Sequence, residues 1–176
     1  MNLYFKRLVV ILLFLFSFFI LIGLFLPNKF TLKRTILVNA APVQIHKYVN
    51  DLRMWPNWKN FNEIDSDIVI IPGNNTRGPG AFEKIKTKIG EGELKIKSSK
   101  PQNGIDYTVD LGRGLYHGES KIFYEDAEER TKVVWFMEGK TQIPILGGYL
   151  ALRLDDYAGD FMERSLIKLK KLAESP

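Results

Sequence analysis

Along the chain, one unbroken apolar run is followed by alternating stretches and then by a helical stripe. Residues 8–26 are apolar except for Ser17 and Gly23, a run of about 19 residues, long enough to cross a hydrocarbon core. Residues 30–39 alternate, with Thr31, Lys33 and Thr35 on one face and Leu32, Arg34, Ile36 and Val38 on the other. That pattern, rich in β-branched residues, predicts a strand. Pro42 suits the first position of a helix, and Val43, Ile45, His46, Val49 and Leu52 carry a helical face to about residue 53. Pro56 should break that helix. Trp55, Trp58 and Phe61 then recur at three-residue steps, as on a short second helical turn.

The middle of the chain reads as strand. Residues 67–71 form a short apolar strand, and 72–80 carry the Pro, Gly and Asn of a loop. Residues 81–89, ending in Ile89, pair with 93–97 as a hairpin across Gly90, Glu91 and Gly92. Lys84, Lys86, Lys88, Lys95 and Lys97 share one face of it, while Glu83, Ile85, Leu94 and Ile96 face inward. Further strands cover 105–111, 116–124 and 131–138, with turns at Gly112, Arg113 and Gly114 and at 125–129. Thr131, Val133, Trp135 and Met137 are assigned inward, because charges flank the other face.

The last segment, 147 to about 173, is the long amphipathic helix, roughly 40 Å at ~1.5 Å per residue. Leu150, Leu154, Tyr157, Phe161, Ser165, Leu169 and Leu172 form its stripe; Arg153, Asp156, Asp160, Glu163, Lys170 and Lys171 face water. Such a stripe must be buried, and a sheet is the available partner. The expected class is therefore α+β, an antiparallel sheet curled around a C-terminal helix.

Residues 1–28 are read as an N-terminal transmembrane anchor and 29–176 as the folded domain. A cleaved signal peptide is the rival reading. Its apolar region is usually shorter and ends in small residues, whereas here Leu24, Phe25 and Leu26 precede Pro27. Lys6 and Arg7 before the run favour an inside N-terminus, a single-pass topology with the domain on the outer or periplasmic face. Lys29, Lys33 and Arg34 oppose that placement.

The chain has no cysteine, which excludes disulfides, thiolate catalysis and cysteine-held metal. Net charge is +5; without Lys6 and Arg7 the rest carries 23 bases against 20 acids, too mild to argue for nucleic acid. The lysine face is either solvated sheet that resists edge pairing or a surface toward anionic headgroups, each lysine there worth about 1 kcal/mol. The 72–80 loop lacks the Lys–Ser/Thr context of a phosphate-binding loop. His46 and His117 match no metal spacing, and no cofactor motif is present. Glu83 has two readings: buried, with a raised pKa and acid/base capacity, or at the rim, wet or paired. Asp155, Asp156 and Asp160 lie among Arg153 and Arg164, as helix-surface salt links do. No nucleophile–base arrangement is visible in the sequence.

In order, these elements resemble the START-like superfamily, within it the polyketide cyclase/dehydrase-type (SRPBCC) branch. Residues 34–58, a strand, a small-residue/Pro step, a helix and the Trp55–Trp58 corner, carry the resemblance. Gly78 to Gly80, the Gly90/Gly92 hairpin, Thr131 to Trp135 and 161–172 match in placement. The resemblance implies a helix-grip fold enclosing a deep, mostly apolar cavity that holds a small hydrophobic molecule such as a lipid, isoprenoid or polyketide. The wall then expected is Trp55, Trp58, Phe61, Tyr107 and Trp135, with Met137, Tyr149 and Phe161, and Glu83 as its polar member. No catalytic set is common to the superfamily. Two alternatives remain open: a cyclase or dehydratase using Glu83 or His117 as acid/base, and a protein-interaction module of the Hsp90-activator type.

Overall fold

The computed structural model describes residues 3–63, 66–88, 90–112 and 114–175. Ile89 and Arg113, assigned above to a strand end and a turn, lie outside them. An apolar helix, α1 (Leu3–Phe25), precedes β1 (Lys29–Val38), α2 (Pro42–Val49) and a short 3-10 helix at Leu52–Asn57. A second 3-10 turn (Phe61–Glu63) leads to β2 (Val69–Pro72), β3 (Phe82–Thr87), β4 (Gly90–Lys100), β5 (Gly104–Leu111), β6 (Tyr116–Ala127) and β7 (Arg130–Thr141). The chain closes with α3 (Leu146–Leu154), a π turn (Asp155–Gly159) and α4 (Asp160–Ala173).

All seven strands form one antiparallel sheet in the order β1-β7-β6-β5-β4-β3-β2. The sheet is a meander except for β1, which returns beside β7. A bulge between Ile96 and Ser98 shifts the β4–β5 register and bends the sheet, as bulges do. The bent face wraps α4, which buries Phe161, Met162, Ser165, Leu166 and Leu169. This is the helix-grip arrangement. α2 closes the other side; its first turn is held by the Gln44 side chain, which accepts from the Ala41 N–H at 3.1 Å, and by Pro42 at the first helical position.

Several boundaries differ from the sequence reading: β2 covers Val69–Pro72, β4 runs on to Lys100, β6 to Ala127 and β7 to Thr141, so that 125–127 are strand and not turn. α2 stops at Val49, and the chain restarts where the Asp51 carboxylate accepts from the Arg53 N–H. Pro56 lies inside the 3-10 helix that follows, whose φ it suits, rather than breaking a longer helix. The hairpin reverses between Thr87 and Gly90, which pair, so Gly90, Glu91 and Gly92 belong to β4. The C-terminal helix is interrupted by the π turn, whose extra residue shifts α3 relative to α4. Consequently Leu150 and Tyr157 remain 46% and 68% exposed instead of continuing a buried stripe.

α1 is exposed along most of its length, with Gly23 buried and Ile20 partly so, and it meets the domain at α3. Its C-terminal end lies against α3: the Phe19 and Tyr149 rings stack at 4.5 Å, and the Tyr149 hydroxyl donates to the Phe19 carbonyl at 2.8 Å. The contact needs small residues, since a Cβ at Gly148 would collide with Leu26 and one at Gly23 would fall 2.6 Å from the Ile145 carbonyl.

Candidate functional site: a cavity with a buried lysine

The curl of the sheet leaves a cavity of about 350 Å³ between the inner face of β3–β7 and the C-terminal helix. Its wall is almost wholly apolar: Ile85, Leu94, Val109 and Met137 from the sheet, Leu154 and Phe161 from the helix. Strand alternation delivers the first set and the π turn positions the second. The mouth opens beside exposed Leu150, Arg153 and Tyr157. A larger hollow of about 650 Å³ lies between the start of α2 and the β6–β7 turn. It is polar and open, without the apolar enclosure of a ligand site.

The buried cation at the cavity is Lys59, a residue the sequence reading passed over; the Thr141 hydroxyl, buried without a partner among the described residues, lines the same space. Lys59 lines the cavity yet is only 3% exposed. Its Nζ sits 3.2 Å from the Trp55 ring centre, 4.4 Å from Trp135, 4.9 Å from Trp58 and 5.0 Å from Tyr107, within cation–π range of all four. Nζ donates one long hydrogen bond, 3.5 Å, to the Tyr107 hydroxyl. Burial pulls the lysine well below its ordinary pKa, and the Glu83 charge partly restores it.

Glu83 is buried on the inward face of β3, not at the rim, because its neighbours Ile85 and Leu94 carry that face into the core. Burial pushes its carboxyl up to about 7, against the opposing pull of Lys59. Among the described residues no hydrogen-bond partner reaches its Oε1. An unmet buried oxygen of this kind is costly unless a proton or a ligand relieves it.

Glu83, expected as the polar member of the wall, is not among the residues that line the cavity, and the other expected wall residues divide. Phe61, Tyr107, Trp135, Met137 and Phe161 reach the cavity. Trp55 and Trp58 stand behind it, fully buried, with their indole N–H groups donating to the Val49 and Tyr48 carbonyls. They form one chain of edge-to-face rings: Trp55–Tyr107 at 5.2 Å, Trp55–Trp58 at 5.7 Å and Trp58–Trp135 at 5.9 Å. Each such pair adds about 0.5–1.5 kcal/mol beyond its buried area. Tyr149 instead faces α1.

Other candidates fall elsewhere. His117 is half-buried and bonded to Asp110, outside the cavity. His46 is buried between the Tyr124 hydroxyl at 3.2 Å and Ser99 Oγ at 3.0 Å, joining α2 to the sheet. Asp156 pairs with Arg153 as expected, but Asp155 reaches Arg34 on β1, and Arg164 reaches Glu63. On the lysine face, Lys86 pairs with Glu91, Lys88 with Asp67 and Lys97 with Glu119, which offsets much of its charge.

No protein-family model matches the chain, and no curated protein is similar to it in sequence. Solved structures share the fold. A hypothetical protein of Helicobacter pylori matches at TM-score 0.63 and 9% identity, over 82% of this chain and 88% of its own. The di-domain ARO/CYC StfQ of the steffimycin biosynthetic pathway matches at TM-score 0.63 and 16% identity, over 84% of this chain and 52% of its own. Norcoclaurine synthase of Thalictrum, solved with a transition-state analogue, matches at TM-score 0.56 and 10% identity, over 82% of this chain and 94% of its own. At these identities the likeness establishes the Bet v 1/SRPBCC-like helix-grip fold.

Proposed function

We propose that the chain is a membrane-tethered binding module that shelters one small hydrophobic molecule, a lipid, isoprenoid or polyketide-like compound, in the cavity beneath α3 and α4. The observation that carries this is the cavity itself: about 350 Å³, enclosed by sheet and helix, with an almost entirely apolar wall. Apolar pockets of this size with one or two placed polar groups are characteristic of small-molecule sites. Fold neighbours that are a biosynthetic cyclase and a synthase are compatible with it.

α1 supports the tether. It is a 23-residue helix, apolar on every side, and its exposed surface suits lipid. It remains uncleaved in this reading, with the domain on the outer or periplasmic face. The cavity mouth then lies close to the bilayer, because α3 both borders the mouth and holds α1 through Tyr149. Exposed Leu146, Leu150 and Leu152 on α3 would sit at the lipid interface, where apolar side chains of an amphipathic helix settle. Native mass spectrometry of the full chain released gently from membranes tests the reading. A bound small molecule is the expected result; a chain that is always empty, or one lacking its first two dozen residues, refutes the binding or the tether respectively.

A second reading, an enzyme of cyclase or dehydratase type, is favoured by Glu83, whose carboxyl burial holds near neutrality beside a lysine at the cavity. Turnover lost in Glu83→Gln with ligand binding retained would decide for it.

A further inference from the structure

We infer that the cavity takes a single-chain carboxylic acid, head first, with its carboxylate on the Lys59 Nζ and its chain directed toward α3. The inference rests on the cavity-binding reading above and specifies the ligand's chemical class. Lys59 is underused at the wall of a largely apolar space. Among the described residues, Glu83, which does not line that space, is unpartnered as well, and the Thr141 hydroxyl, also buried without a partner, lines the cavity beside Gly147 at the α3 end. Lys59 presents three donors, and among the described residues only the 3.5 Å contact to Tyr107 engages them. The rest of its surroundings are ring faces, which attract the charge but accept no strong hydrogen bond. The other cation at the cavity, Arg153, stands at the exposed mouth. A ligand with an acceptor at one end and a hydrocarbon remainder satisfies Lys59 and leaves the apolar wall against carbon.

Charge selects the head group. Glu83 already faces Lys59 electrostatically, so a second carboxylate would place two anions against one ammonium. The second anion is accommodated if Glu83 takes up a proton, which its buried, unpartnered Oε1 can hold. Binding therefore consumes a proton: ligand carboxylate, Glu83 carboxylate and H⁺ give the bound carboxylate and a neutral Glu83. A phosphate monoester, with up to two charges, exceeds what one lysine and one proton offset. Size selects the chain. At about 30 Å³ for each water-sized group, 350 Å³ holds roughly a dozen such groups, matching an acid of about ten carbons.

Isothermal titration of the full chain in nanodiscs, with protein-free nanodiscs as blank, at pH 7.5, compares decanoate with decan-1-ol. The expected result is roughly ten- to hundredfold tighter binding of decanoate, the worth of one charge-assisted hydrogen bond. Lys59→Met should level the two ligands. Repeating the titration in phosphate and in Tris should show uptake on the order of one proton per decanoate. Decanoate binding no tighter than decanol in the unaltered chain overturns the inference while leaving the cavity reading intact. So does decanoate binding to the unaltered chain without proton uptake. Binding of neither ligand overturns the cavity reading itself.

Discussion

Lys59 holds its ammonium nitrogen 3.2 Å from the centre of the Trp55 ring, inside the same interior that buries Glu83. The two groups shape stability against pH in opposite directions. The folded chain holds the Glu83 proton up to about pH 7, whereas an ordinary glutamate releases it near 4.5. The unfolded chain therefore binds fewer protons across that interval, and stability falls as pH rises through it. At about 1.4 kcal/mol per pH unit the loss is on the order of 3 kcal/mol. Lys59 is lowered, so its contribution rises with pH on the approach to 10.5. Urea titrations at a series of pH values should show the acid-side decline in the unaltered chain and its disappearance in Glu83→Gln. A Glu83-dependent increase between pH 4.5 and 7 would contradict the burial argument.

The periodicities that sequence reports well are those imposed by a single buried face. β7 was legible because Lys132 and Glu138 flank one face while Thr131, Val133 and Trp135 share the other, and each of these three is buried as assigned, although Val134 on the face assigned outward is buried too. Phe161, Ser165 and Leu169 were legible in the same way on α4. What escaped was set by neighbours distant in sequence. The π turn leaves no periodic trace, because one extra residue between two helical stripes still reads as one helix. Lys59 escaped because lysine is nearly always solvated, and part of what makes its burial tenable, the rings of Trp135 and Tyr107, is brought from β7 and β5. The one available signal was its place within the Trp55–Phe61 aromatic cluster. Glu83 was half legible: alternation pointed it inward, but the depth of the sheet's curl decided between rim and core.

His46 should titrate below the ordinary histidine value. Ser99 gives its hydroxyl hydrogen to Asn50 at 2.5 Å, so the ring's Nε2–H donates to Ser99 and Nδ1 is free to accept from Tyr124. The neutral ring uses both nitrogens, while burial, with the Arg77 charge, penalises the cation. The unfolded chain consequently binds more protons as pH drops below about 6.5, and stability from this site is lost on that side. An NMR titration of the His46 ring signals checks it; a midpoint at or above 6.5 removes the assignment.

Ile145 fixes how α3 leaves the sheet. Its φ of 63° and ψ of −52° form a tight turn in which the Leu146 N–H bonds the Pro144 carbonyl at 2.6 Å. A β-branched residue pays roughly 1–3 kcal/mol for such a conformation. The strained turn and the glycines at 23 and 148 together set α1 against α3. Gly148→Val should force Leu26 away and free α1, with the sheet intact. The chain lacks cysteine, so spin labels on cysteines placed at Ser17 and Asp156 report one distance. That distance should lengthen and broaden in the variant; an unchanged, narrow distribution would show that the close approach does not hold the helix.

Ala158 offers a way to fill the cavity without touching its polar groups. It lies in the π turn, partly buried, and lines the space beside Phe161. A phenylalanine side chain there would project into a void rather than into packed neighbours, so the usual cost of overpacking, about 1–3 kcal/mol, should be largely absent. Added ring contacts with Phe161 and Trp135 should hold stability level or raise it by about 1 kcal/mol. Ala158→Phe is therefore expected to melt at or above the temperature of the unaltered chain while losing any co-purifying small molecule in native mass spectrometry. Retention of that molecule at equal occupancy would place its site outside the cavity, and a large drop in melting temperature would mean that the space is already filled by the protein's own side chains.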